Sequence, residues 1–188
     1  MTPDEEATAL AVRLLERSGI PYMVAGSMAS SHHGLPRMSQ DVDIVIDPSP
    51  TSLATLVAGL EAAGLYVDSG RARNALTHHR RFNAIDPNTG MEIDFILPMD
   101  GPFRQEEFAR ARPGTLEGGT RVRLPSPEDT IVAKLEWARQ AGSSERQLLD
   151  AAGIVHAQGA ALDRSYVERW VAVLGITDLW HQVLAASP

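Results

Sequence analysis

Asp41-Val42-Asp43-Ile44-Val45-Ile46, with Gly26-Ser27 ending fourteen residues upstream, is the stretch on which the reading of this chain turns. Residues i and i+2 of a strand point to the same face. Val42, Ile44 and Ile46 therefore turn together into a core, while Asp41 and Asp43 share the opposite face and can share one cation or two adjacent ones. A slip of one residue would bury both carboxylates and expose all three aliphatics, so the register is strongly specified. Upstream, Tyr22-Met23-Val24-Ala25 is a short apolar run that Gly26-Ser27 ends, just before a weakly helical stretch from Met28 to His33. Glycine there lets backbone N–H groups approach an anion. Serine suits a helix start and offers a hydroxyl to a phosphate.

A third carboxylate comes from a hairpin. Arg81 to Asp86 and Met91 to Ile96 alternate as strands around the turn Pro87-Asn88-Thr89-Gly90, which has suitable turn chemistry. If Asp86 pairs with Met91, Phe82 faces Phe95 and Ala84 faces Ile93 on the core side. Asn83 then faces Asp94 and Ile85 faces Glu92 on the polar side. Asp94, with Glu92 near it, can lie beside Asp41 and Asp43. Three converging carboxylates repel one another and are costly to desolvate unless a cation or a proton compensates. With oxygen ligands and no cysteine in the chain, the expected ion is Mg²⁺ or Mn²⁺.

The set Gly26-Ser27, Asp41-x-Asp43 and Asp94 resembles the nucleotidyltransferase superfamily whose best-known large member is DNA polymerase beta. More narrowly, it is similar to the small bacterial AbiEii-type toxins and their relatives, several of which act in toxin–antitoxin pairs. Gly34 to Asp43 is similar to that group's Arg-x-Thr-x-Asp-x-Asp segment, with Ser39 at the threonine position. Ser126-Pro127-Glu128-Asp129 through Lys134, and Ser144-Glu145-Arg146-Gln147 to Asp150, look like its C-terminal helical motif, although Leu149 stands where a basic residue is usual.

The resemblance implies transfer of a nucleoside monophosphate from an NTP to a hydroxyl acceptor. In that scheme Asp41 and Asp43 hold the cations, and Asp94 ligates the metal nearer the acceptor and helps remove its proton. Gly26 and Ser27 cradle the outgoing phosphates, Arg37 or Lys134 neutralises charge there, and Ser39 and Asp150 support the site. The acceptor implied is a tRNA, a protein side chain or a small molecule such as an antibiotic, with a cognate antitoxin as a partner. Two other classes remain open: a catalytically silent, antitoxin-like binding partner, and a nucleotide- or metal-binding sensor.

Lys134 stands out without the resemblance, because it is the only lysine among 17 Lys and Arg residues. A compact ammonium on a flexible stem suits a nucleotide phosphate. The expectation is a stem lying on apolar surface and an ammonium reaching toward the acidic pocket. Composition bounds the rest. The net charge of −7 and pI near 5.3 leave nucleic-acid contact to local patches, such as Arg71 with Arg73, His78-His79-Arg80-Arg81, Arg110 with Arg112 and Arg121 with Arg123. No apolar run approaches the roughly 20 residues of a membrane span. The first residues, Met1-Thr2-Pro3-Asp4-Glu5-Glu6, are acidic where a signal peptide is basic, so a cytoplasmic location is expected. Neighbours such as His32-His33 and His78-His79 project in different directions and make poor metal sites.

Along the chain, Pro3 to Gly19 reads as an amphipathic helix, Ser49-Pro50 opens a second that ends near Gly64, and Leu65-Tyr66-Val67 is a short strand. A helix over Phe103 to Arg112, a strand over Thr120 to Leu124 and helices from Ser126, Ser144, Arg164 and Asp178 follow. The order α-β-α-β-α-β-β, then helices, predicts an α/β (α+β) fold. This is a small mixed sheet of nucleotidyltransferase type flanked by helices, with a core over 1–125 and a helical extension over 126–188 packed on it.

Overall fold

A computed structural model describes residues 2–37, 39, 41–98, 101–140 and 144–186. The chain divides into two compact units, one made of 1–25 with 39–124 and the other of 26–38 with 125–188. The stretch 26–38, read as part of the core, thus groups with the C-terminal helices.

The first unit is built on a five-stranded mixed sheet. Its strands are β1 (Tyr22–Val24), β2 (Asp41–Ile46), β3 (Tyr66–Val67), β4 (Arg81–Ile85) and β5 (Glu92–Ile96), in the order β1-β2-β5-β4-β3. β2 and β5 are parallel, and the other neighbours are antiparallel. The hairpin expected from the sequence forms in that register, with Asn83 opposite Asp94 and Phe82 opposite Phe95. Asp86 N donates to Met91 O at 2.9 Å to close the turn. The apolar face consists of Val42, Ile44, Ile46, Ala84, Ile93 and Phe95, all at 0% exposure, with Phe82 stacked on Phe95 at a centroid distance of 5.1 Å. Burying each large aliphatic there is worth roughly 1.5–3 kcal/mol.

Helices α1 (Pro3–Arg17) and α3 (Pro50–Ala62) supply the other side of this core. Thr2 and Glu5 form a capping box at the start of α1, and Ser49 with Ser52 does the same for α3. Each satisfies two orphan donors of a helix start. Gly59 lets the two helices approach closely, since a Cβ there would lie 3.1 Å from Leu14 Cδ2.

Two elements of this unit depart from the sequence reading. The region of Arg71 and Arg73 is a helix, α4 (Ser69–His78), capped by the Asp68 carboxylate, which accepts from Gly70 N and Arg71 N. Only Ala72 and Ala75 of it are buried, too short an apolar stripe to register as a periodic signal. After α5 (Pro102–Arg110), residues Arg112–Thr115 form β6, paired only with β7 (Arg121–Leu124). Pro113 and Gly114 argue against a strand, and they are tolerated because this two-stranded ribbon needs no further partner.

The second unit comprises α2 (Gly26–His33), α6 (Pro127–Gln140), α7 (Glu145–Gln158), a 3₁₀ turn (Gly159–Ala161), α8 (Arg164–Leu174) and α9 (Thr177–Ala186). Its core includes Ile131, Leu135, Ile154, Val167 and Trp180. Ser126 Oγ accepts from Asp129 N and donates to the Asp129 carboxylate, so the expected cap of α6 is present. The buried Asp129 carboxylate also accepts from Tyr166 Oη on α8. Among the described residues, no helix is long and apolar enough to cross a membrane.

Gly34 packs where α2 meets α7. A Cβ on it would fall 2.9 Å from Ile154 N and 3.0 Å from Gly153 C. These are backbone atoms that cannot yield without moving the helix. Gly34→Ala should therefore destabilise the protein by roughly 1–3 kcal/mol, the usual cost of overpacking, and thermal denaturation of purified protein would measure it. An unchanged Tm would show that α2 and α7 are not packed this closely.

Candidate active site

The polar face of the sheet gathers the expected carboxylates. Asp43 lies directly opposite Asp94 across the parallel β2–β5 pair, and Asp41 lies opposite Glu92. Cross-strand partners share a face, so Asp41, Asp43, Glu92 and Asp94 form a two-by-two array, and Asn83 adjoins Asp94 from β4. Exposure falls across the array: Asp41 is exposed, Asp43 is half-buried and Asp94 is buried. Ser39 Oγ donates to Asp41 Oδ1 at 2.6 Å, Asn83 Nδ2 donates to Glu92 Oε1, and Arg81 Nη1 donates to Asp94 Oδ2 at 3.3 Å. Burial pushes Asp94 above the ordinary carboxylate range; Arg81 opposes this, while the nearby Glu92 and Asp41 charges add to it.

As they stand, no three His, Cys, Asp or Glu side chains among the described residues form a group that could hold a metal ion. The donor chemistry fits a hard divalent cation all the same. Every candidate ligand is a carboxylate oxygen, and the charge on Asp94, disfavoured first by burial and then by the nearby Glu92 and Asp41 charges, is one that a cation would relieve.

Gly26, Ser27, Arg37, Lys134 and Asp150 lie in the second unit. Gly26 opens α2 with φ +56°, in the left-handed region that favours glycine. The helix begins one residue before the expected cap, so Ser27 sits inside its first turn. Its hydroxyl is buried and has no hydrogen-bond partner among the described residues. Asp150, on α7, accepts Arg37 Nε on Oδ1 and Arg37 Nη2 on Oδ2, each at 2.9 Å, and Lys134 Nζ on Oδ2 at 2.8 Å. Ser30 Oγ lies 3.4 Å from the same Oδ2.

Lys134 is therefore a buried residue, with its side chain 6% exposed, and its ammonium is held by Asp150. Helix periodicity identified the face of α6 that carries Lys134 but could not say which element lies across from it. Asp150 was expected only as support; the structure makes it the anion around which α2, α6 and α7 are tied. Burial pushes the Asp150 carboxyl up, and the hydrogen bonds and charges of Arg37 and Lys134 outweigh that, leaving it below the ordinary range. Arg81 and Asn83 were not singled out for the site. Their i, i+2 spacing opposite Asp94 was the signal that could have found them.

No family model and no curated protein matches the chain. Solved structures do. The crystal structure of ANT(2″)-Ia in complex with adenylyl-2″-tobramycin is 15% identical, with a TM-score of 0.62, covering 92% of this chain and 99% of that one. The lincomycin-bound lincosamide antibiotic adenylyltransferase LnuA is 13% identical, with a TM-score of 0.55, covering 82% and 96%. An antigenic nucleotidyltransferase-like protein from Paracoccidioides brasiliensis is 20% identical, with a TM-score of 0.55, covering 98% and 94%. The fold is that of the nucleotidyltransferases.

Asp94 and Asp150 have opposite effects on acid stability. Asp94 is raised, so its contribution is present below its unfolded value of about 3.9 and is lost as pH rises through the folded value. At neutral pH its charge is a net burden. Asp94→Asn should raise Tm at pH 7, and the gain should vanish below about pH 4. Asp150 is depressed, so its contribution is present above about pH 3.9 and is lost as pH falls through the folded value. Asp150→Asn should cost roughly 3–5 kcal/mol at pH 7, because it removes the negative charge that Arg37 and the buried Lys134 ammonium share. Melting curves of both variants between pH 3 and 8 would test the pair. A lower Tm for Asp94→Asn at pH 7, or an unchanged one for Asp150→Asn, would contradict the assignment.

Proposed function

We propose that the protein is a metal-dependent nucleotidyltransferase that moves a nucleoside monophosphate from an NTP to a hydroxyl acceptor. The observation that carries this reading is the pairing of Asp43 with Asp94 across β2–β5, with Asp41 on the same face, in a chain whose fold matches nucleotidyltransferases over most of its length. Asp41, Asp43 and Asp94 would hold Mg²⁺ or Mn²⁺. A cation bound there neutralises triphosphate charge and makes the acceptor hydroxyl more acidic.

The acceptor oxygen attacks the α-phosphorus, the new O–P bond replaces the bond to the β-phosphate, and pyrophosphate leaves. Asp94 is suited to take the hydroxyl proton, since its burial makes it a stronger base than an ordinary carboxylate. The partnerless Ser27 hydroxyl and the N–H groups at the start of α2 suit the phosphates that depart. Arg37 and Lys134 bring positive charge to the same unit and, through Asp150, tie the segment that follows α2 to α6 and α7.

A small hydroxyl compound is the preferred acceptor, because two proteins of this fold are an adenylyltransferase bound to lincomycin and an enzyme bound to adenylyl-tobramycin. The net charge of −7 also disfavours extended contact with RNA. A second reading, favoured by the motif spanning Arg37 to Asp43, makes the acceptor a tRNA or a protein and the chain the toxin of a toxin–antitoxin pair. A cytoplasmic location belongs to both.

The test incubates the protein with each α-labelled NTP, Mg²⁺ or Mn²⁺, and in turn aminoglycosides, lincosamides, total tRNA and cell lysate. Label should move to one acceptor class, with pyrophosphate released. Changes to groups that only support a metal ligand cost roughly 10–100-fold. Asp43→Asn, which removes a direct ligand, should lower transfer by more than that while leaving the melting temperature unchanged or slightly higher. Transfer that persists in Asp43→Asn would refute the assignment.

A further inference from the structure

One cation already present on the carboxylate face is the guanidinium of Arg81. Arg81 opens β4 opposite Ile96, two residues before Asn83, and both side chains share the face of Asp94. The two have different tasks. Asn83 is committed to Glu92, while Arg81 reaches Asp94 through a single contact, Nη1 to Oδ2 at 3.3 Å. That contact is long and lacks the two-pronged geometry that makes arginine–carboxylate pairs strong. The partners also differ in exposure, with the Arg81 side chain 61% exposed and that of Asp94 13% exposed. An exposed cation thus approaches a recessed anion from the solvent side.

We infer that Arg81 is a displaceable counter-ion of Asp94, occupying the carboxylate oxygen that a divalent cation requires and being exchanged for that cation when it binds. The inference rests on the nucleotidyltransferase reading for the cation and adds a positioning residue to it. Exposed ion pairs are weak, so the exchange costs little. A guanidinium and a dication on one oxygen repel, so they do not share it. Asp94 consequently keeps a neutralising partner both before and after loading. Once released, Arg81 remains on the carboxylate face with donors free for a phosphate oxygen.

The test is a titration of the metal-free full chain with Mn²⁺, following free Mn²⁺ by electron paramagnetic resonance. Wild type, Arg81→Gln, Arg81→Lys and Asp94→Asn would be compared, each also melted with and without saturating Mn²⁺. Arg81→Gln should bind Mn²⁺ roughly three- to tenfold more tightly than wild type, because a competing charge is gone. Arg81→Lys should fall between them, and Asp94→Asn should bind more weakly than wild type. Without metal, Arg81→Gln should melt below wild type, and saturating Mn²⁺ should erase the difference. An arginine with only a structural role would lower Tm equally in both states and leave Mn²⁺ affinity unchanged; that result overturns the inference and spares the metal reading. No Mn²⁺ uptake by any variant would overturn both.

Discussion

The parallel pairing of β2 with β5 is the constraint on which the rest depends. It brings Asp43 opposite Asp94, and it places like charges side by side, a pairing that is unfavourable in isolation. The opposite face of the same two strands compensates. Val42, Ile44, Ile93 and Phe95 are completely buried, and their burial outweighs the repulsion by several kcal/mol. The register cannot relax by one residue, because that would exchange the two faces. The hairpin between β4 and β5 locks this further, since its turn sets where Asp94 falls. The electrostatic cost is therefore held in place by hydrophobic packing on the other side of the same strands.

Asp94 and Asp150 show two ways of keeping a recessed carboxylate. Around Asp150 the chain supplies its own cations, two on one carboxylate, and the result is a depressed pKa and a tie among three helices. Around Asp94 it supplies one exposed arginine at longer range, and burial prevails. The first is a completed structural element. The second is a recessed charge with a single long contact to an exposed arginine, which, on the function proposed, is the difference expected between a carboxylate that serves the fold and one that serves chemistry.

What could be read from the sequence follows the range of the forces involved. Strand alternation in Asp41–Ile46 and turn chemistry at Pro87-Asn88-Thr89-Gly90 are local, and they gave the sheet face and the hairpin register residue by residue. Capping signals at Pro3, Pro50 and Ser126 located three helix starts within a residue or so. Helix α4 escaped because two buried alanines make a poor periodic signal. Strand β6 escaped because its proline and glycine contradict strand propensity and only its partner justifies it. The Lys134–Asp150 pair escaped for a different reason. Its two halves lie on separate helices, and the packing that brings them together is tertiary. Lone-lysine counting marked Lys134, and its pairing with Asp150 is set by packing that counting does not see.

That lone lysine has a practical consequence. Its ε-amine lies buried in an ion pair, and every other basic side chain in the sequence is an arginine or a histidine. Reagents that acylate or cross-link amines will find, on the folded chain, little beyond the α-amino group. Lysine-specific proteolysis has one bond to cut, after a residue that the native helix conceals. Acylation of Lys134 therefore counts the molecules in which α6 and α7 have come apart, giving this protein an intrinsic chemical reporter of opening that requires no introduced label.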